Sequence, residues 1–202
     1  MDAPGKDHPH APPAASPACP AAPGARLGPV THGPAARVNH WVVAAAFLGA
    51  LGLGLAIGQL PREARGALMD PHRALGVAVL LWGAWRLLLR LRTGFPDPVA
   101  PSPRWQDALS RTTHWALLAA TVLIPLSGVL MGLARARALD VWGLTLLPAL
   151  PETPWLASAA VHEAAAPVLL ALVALHVGAA LKHHFWDRDA TLVRMLTGRT
   201  ER

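Results

Sequence analysis

The segment "HEAAAPVLLALVALH", residues 162–176, opens and closes on histidine, and between His162 and His176 only Glu163 is strongly polar. On an α-helix the step between the two rings amounts to about 21 Å of rise and a net rotation of about 40°. Both imidazoles therefore lie on nearly one face. Such a rise is most of the roughly 30 Å hydrocarbon core of a bilayer, so a helix crossing a membrane holds one ring near each leaflet. The spacing points to two stacked sites.

The rest of the chain supplies the membrane. At 202 residues, 53% hydrophobic, with a mean hydropathy of +0.35, it is long enough for one domain and too apolar for an ordinary soluble one. Trp41 to Gly58 and Trp115 to Ala134 carry no charge. Ala74 to Trp85 continues past Arg86 into three leucines, and Ala164 to Leu181 is interrupted only by His176. These four segments predict an all-α integral membrane four-helix bundle, with helices near 38–60, 70–92, 110–134 and 159–186 inside a domain spanning 36–197. Residues 1–35 form a Pro/Ala-rich stretch with too little apolar surface to fold and without the compact regions of a signal peptide, so a disordered tail is expected there. Residues 198–202 are read as a short C-terminal tail.

Cys19 is the only cysteine and lies in that first stretch. An intramolecular disulfide, a cysteine-rich iron–sulfur centre and a covalent Cys-x-x-Cys-His haem site are thereby excluded, and any metal cofactor has to be held by histidine. The net charge of +6 reads as topology before it reads as nucleic-acid binding, which is not expected here. Lys and Arg number three up to Arg37, five from Arg86 to Arg111 and five from Lys182 onward. The other two connections hold Arg62, Arg65, Arg73, Arg135 and Arg137. The positive-inside rule then puts both termini and the central loop in the cytoplasm. Trp41, Trp115 and Trp186 fall at the cytoplasmic ends and Trp142 and Trp155 on the other side, as an interfacial belt requires.

With depth assigned, the histidines sort into levels. His40 opens the first helix near the cytoplasm and His72 opens the second on the outer side. His162 opens the fourth on the outer side, and His176 lies about 21 Å further in. The pairs are His40 with His176 and His72 with His162. One such histidine is as readily a structural residue, but four at matched depths in a bundle read as a cofactor site. Two axial histidines per iron, with no open position, suit electron transfer between b-type haems.

Gly54 and Gly76 are candidate clearances for a flat macrocycle at the outer level, although ordinary small-residue helix packing fits "GLAIG" and "GVLMG" (Gly128 to Gly132) equally well. His114, opening the third helix at the inner level, is open between ligand, propionate partner, quinone-pocket residue and plain interfacial histidine. Arg73, Arg86 and Lys182 are candidate partners for propionates or snorkelling cations. His183 and His184 are expected to be solvated or capping, as are the tail histidines His8, His10 and His32. Glu163, next to His162, is a candidate to move a proton or to orient a group beside that ring, and reads equally as an interfacial carboxylate.

Taken together, "VNHWVV", "DPHRALGV", "TTHWALLAATVLIPLSGVLMG" and "VHEAAAPVLLALVALHVGAALKHHFWDRDATLVRML" resemble the bacterial cytochrome b561 family of four-helix dihaem membrane proteins, over about residues 35 to 197. The resemblance implies two haems b on the pairs above and electron exchange with ubiquinone. In part of the family it implies oxidation of superoxide at the outer face, hence a superoxide:quinone oxidoreductase in the bacterial inner membrane. The alternatives are a cytochrome b relay subunit joining a hydrogenase or dehydrogenase to the quinone pool, and a structural bundle with no redox role.

Overall fold

The structure, a computed structural model, describes residues 33–95, 98–99, 101–153 and 159–199. Residues 1–32 of the expected tail, with Cys19 and its three histidines, lie outside the described residues, as does Trp155, while Pro34 and Ala35 already belong to the first helix.

Four long helices carry the chain back and forth: α1 (Pro34–Gln59), α2 (Gly66–Thr93), α3 (Arg104–Ala134) and α4 (Ala159–Lys182). α1, α2 and α3, and the run Val161–Asp187 that begins within α4, are each long and apolar enough to cross a membrane. At most 17% of any such stretch is buried inside the protein, and large apolar side chains such as Leu81, Leu91, Leu123 and Val168 face outward. In water that surface would be untenable, and in a bilayer it is the solvent-facing side of a candidate four-span bundle.

α1 starts with Pro34, whose missing N–H is no loss in a first turn, and α3 starts at Arg104, six residues before the expected boundary at 110. The extra turns are polar, with Asp107 near the positive end of the helix dipole and accepting from Ser102 Oγ. Hydropathy alone does not register such a lead-in.

Neighbours in sequence are neighbours in space. α1 packs on α2, α2 on α3 and α3 on α4, while the α4 backbone scarcely approaches α1. At Gly83 two helices approach closely, for a Cβ there would lie 2.7 Å from Thr121 Oγ1 and 2.9 Å from its carbonyl oxygen. Val79, one turn earlier on α2, is 1% exposed and is the most deeply buried large side chain described.

Two smaller features were not expected. Between α3 and α4 the chain forms an antiparallel hairpin, β1 (Leu139–Val141) with β2 (Leu144–Leu147). Trp142 and Gly143 make its turn with φ of 48° and 81°, the pair of positive angles that suits the twist of a two-residue hairpin. At the far end of α4, residues His183–Asp187 widen into a π turn, where the sequence reading continued an α-helix to 186. Arg188, at φ 55°, reverses the chain into α5 (Thr191–Leu196). Trp41 Nε1 donates to Met195 O at 3.3 Å and ties α5 to the start of α1.

Candidate functional site

α1 and α3 run toward the hairpin, α2 and α4 away from it, so the bundle has a hairpin end and an end at which α1 begins and α4 finishes. At the hairpin end, His72 of α2 and His162 of α4 approach with ring centroids 6.1 Å apart. At the other end, His40 of α1 and His176 of α4 stand at 6.3 Å. All four rings are half-buried.

The hairpin-end rings are held in the same way. His72 Nδ1 lies 2.9 Å from Ala50 O on α1, and His162 Nδ1 lies 3.0 Å from Ile124 O on α3. A carbonyl can only accept, so each Nδ1 carries the proton and each Nε2 keeps its lone pair. Four residues beyond each carbonyl comes a glycine. A Cβ at Gly54 would sit 3.1 Å from His72 Cε1, and one at Gly128 would sit 2.9 Å from His162 Cε1. Each imidazole thus lies in a notch between a helix carbonyl and the bare Cα one turn on. Ser127 Oγ also reaches His162 Nδ1 at 3.0 Å while donating to Ile124 O at 2.7 Å.

Gly54 was singled out from sequence as room beside a macrocycle, and the structure has the ring of His72 against it. Gly128 and Ser127 were not recognised as a seat. The signal was there, since Gly128 follows His114 by the same fourteen residues that separate His40 from Gly54. Gly76 has open space beside it, for a Cβ there would meet nothing within 4 Å.

The other end is more polar. Arg86 Nη2 is 3.1 Å from His40 Nδ1, and its Nη1 donates to Asn39 Oδ1 at 3.2 Å. His114 comes within 5.3 Å of His176, centroid to centroid, and stacks on Phe95 at 5.5 Å. The guanidinium of Arg90 lies 5.5 Å from the centroid of the same Phe95 ring.

The remaining candidates have other partners. Arg73 Nη1 donates to Asp140 O of β1 at 3.3 Å and is 3.7 Å from Asp70, so it pins the hairpin beside His72. Lys182 Nζ bonds both oxygens of Asp187 at 2.7 and 2.9 Å. His183 Nδ1 meets Asp189 at 2.8 Å and Asp187 at 3.1 Å, so Lys182, His183 and the two carboxylates form one ion-paired cluster around the π turn. Burial alone would raise the pKa of Asp189. Hydrogen bonds from the Thr191 side chain and amide and from His183 outweigh it and hold the carboxyl below its ordinary value. Glu163 is exposed.

A four-helix membrane bundle with imidazoles facing one another at two depths is the arrangement a membrane cytochrome requires. The prokaryotic cytochrome b561 model matches residues 31–198. The chain belongs to the prokaryotic cytochrome b561 family. This cytochrome is 30% identical over 173 residues to cytochrome b561 homolog 2 of Escherichia coli (strain K12), an alignment covering 83% of this chain and 92% of the relative. It is 28% identical to cytochrome b561 homolog 1 of the same organism, over 65% of this chain and 76% of the relative. A protein of Yersinia pestis named probable superoxide oxidase CybB is 28% identical, over 78% of this chain and 90% of its own length. The cytochrome is accordingly a membrane electron carrier of a haem b family, with four candidate spans and with redox partners implied in general terms.

Proposed function

We propose that this cytochrome holds two haems b, one between His40 and His176 and one between His72 and His162, and passes electrons from superoxide at its outer face to ubiquinone. The ring separations carry the reading. Two metal–nitrogen bonds of about 2 Å each would need facing imidazoles whose ring centres stand several ångströms apart. The observed 6.3 and 6.1 Å would leave room for a metal ion between the rings of each pair, and the 5.3 Å between His114 and His176 would leave less. His114 is therefore read as a neighbour of the second pair, not a ligand.

The chain's own residues would do the following. Nε2 of each histidine would hold the iron, and at the hairpin end the Ala50 and Ile124 carbonyls fix the tautomer and the ring plane. Gly54 and Gly128 let the rings approach the neighbouring helix closely. Each cation considered for propionates already has a partner: Arg73 has Asp70 and the Asp140 carbonyl, Lys182 has Asp187, and Arg86 has Asn39 and His40. When bound, haem supplies reversible one-electron chemistry.

The likeness to the Yersinia protein supports superoxide as donor. Arg62, Arg65, Arg73, Arg135 and Arg137 lie at the hairpin end together with Glu63, Asp70, Asp140, Glu152 and Glu163, so attraction of an anion there would come from individual arginines and not from a net charge. The positive-inside count supports the hairpin end as the outer one, with both termini cytoplasmic.

The test is a dithionite-reduced minus oxidised spectrum with haem quantitation on wild type, His162→Ala and His176→Ala, followed by reduction with superoxide. Two haems in wild type, about one in each variant and fast reduction by superoxide are expected. Haem content unchanged by either substitution would overturn the ligand assignment. Slow reduction together with a copurifying dehydrogenase would turn the reading to a relay subunit.

A further inference from the structure

All four helices repeat a functional position after fourteen residues: His40 and Gly54 on α1, His72 and Arg86 on α2, His114 and Gly128 on α3, His162 and His176 on α4. Each step is about 21 Å of rise with about 40° of rotation, so every helix contributes one residue to each level. The hairpin level is two histidines and two glycines. The other level is His40 and His176 with Arg86 and His114 standing where the glycines would be.

This difference is electrostatic. At the hairpin level both rings direct Nδ1–H at a main-chain carbonyl, which makes the imidazole a stronger electron donor and favours ferric iron. Arg73, the cation next to His72, is turned to the hairpin and faces Asp70. At the other level the guanidinium of Arg86 lies against His40, half-buried in a span where water screens little. Arginine stays charged under these conditions, and a fixed positive charge favours ferrous iron. Arg86 only donates, so its bond to His40 Nδ1 requires a lone pair there, while iron on Nε2 puts the proton on Nδ1. Coordination therefore exchanges that one bond, and Asn39 Oδ1 keeps the charge at the level.

We infer that Arg86 sets the haem between His40 and His176 at a higher potential than the haem between His72 and His162, giving the electron path a built-in direction from the hairpin end to the other. The inference rests on the two-haem reading. In the step it describes, one electron leaves the iron at the hairpin level, which goes from ferrous to ferric. It enters the iron at the other level, which goes from ferric to ferrous, and no proton has to move.

Potentiometric titration of the full chain with haem bound, in lipid nanodiscs, tests it. Two one-electron components should differ by a tenfold equilibrium constant or more, which is about 59 mV. His162→Ala should remove the lower component and His176→Ala the higher. Arg86→Gln should lower the higher component alone, and Arg86→Lys should largely retain it. Loss of the higher component in His162→Ala would overturn the ordering. So would an Arg86→Gln protein with both haems and both midpoints unmoved. If Arg86→Gln fails to bind haem, the two histidine variants decide the ordering by themselves. Absence of haem from wild type would instead overturn the two-haem reading, and the ordering with it.

Discussion

A Cβ on Gly128 would stand 2.9 Å from Cε1 of His162 and 3.2 Å from its Nδ1, so this ring is seated on bare main chain of the neighbouring helix. Gly54 stands in the same relation to His72, at 3.1 Å from Cε1.

Gly128→Ala should therefore push His162 off its carbonyl and lower haem content toward one per chain. Gly54→Ala should act in the same direction more weakly, and Gly52→Ala, on the exposed side of α1 with nothing within 4 Å of its Cβ position, should change nothing. Pyridine haemochromogen quantitation of the three variants checks the order. Equal losses at positions 128 and 52 would sink the seating argument.

Gly83→Ala should destabilise the bundle without touching either histidine pair. Its Cβ would enter within 2.8 Å of Thr121 Cβ and 2.9 Å of the Thr121 carbonyl oxygen, and overpacking of this kind costs about 1–3 kcal/mol. Thr121→Ala in the same chain should restore only part of the loss, because it removes the hydroxyl while the Cβ and the carbonyl of residue 121 stay. Thermal unfolding in detergent, followed by circular dichroism, reads both variants.

Trp142 holds a positive φ of 48° at the hairpin turn, a conformation that asparagine adopts more readily. Trp142→Asn should slow amide exchange across 139–147 in mass-spectrometric hydrogen exchange. Unaltered or faster exchange would mean that the indole, 71% exposed, stabilises the turn by contact with lipid and outweighs the backbone term.

Acid should release α5. The Asp189 carboxyl titrates below its unfolded value, held there against its burial by Thr191 and His183. Its contribution is present above the ordinary carboxyl pKa of about 3.9 and is lost as pH falls through the lower folded value. Exchange in 190–197, corrected for its intrinsic pH dependence, should rise on acidification below about pH 4 in wild type. Asp189→Asn should lack that step. A flat wild-type profile would show that the Asp189 carboxylate does not hold α5 in place.

Much of this was legible before any coordinates. The four helices announce themselves because each needs a long uncharged run, and such runs have few other uses. The pairing of rings across the bundle followed from one helical constant applied to His162 and His176. The glycine seats were harder, since "GVLMG" reads equally well as generic helix packing and only the neighbouring helix tells which use Gly128 serves. The same constant applied to His72 would have reached Arg86. The hairpin stayed hidden because its strands are three and four residues long and a tryptophan occupies the turn where asparagine or glycine is the usual sign. The π turn has no local signature, for one inserted residue in an otherwise helical run leaves composition unchanged.

The stand-off between the α4 backbone and α1 bears on how the chain is assembled. α1, α2 and α3 form a continuous series of contacts, and α4 joins it through α3. Toward α1 and α2, the described contacts that span the gap include the two histidine pairs and, beyond the end of α4, the Trp41–Met195 hydrogen bond. The last helix is thus hinged along α3 and fastened at its far end to α1. On the two-haem reading, a group bridging those imidazoles would close the remaining seam, and a chain without it would keep that seam the easiest place to open.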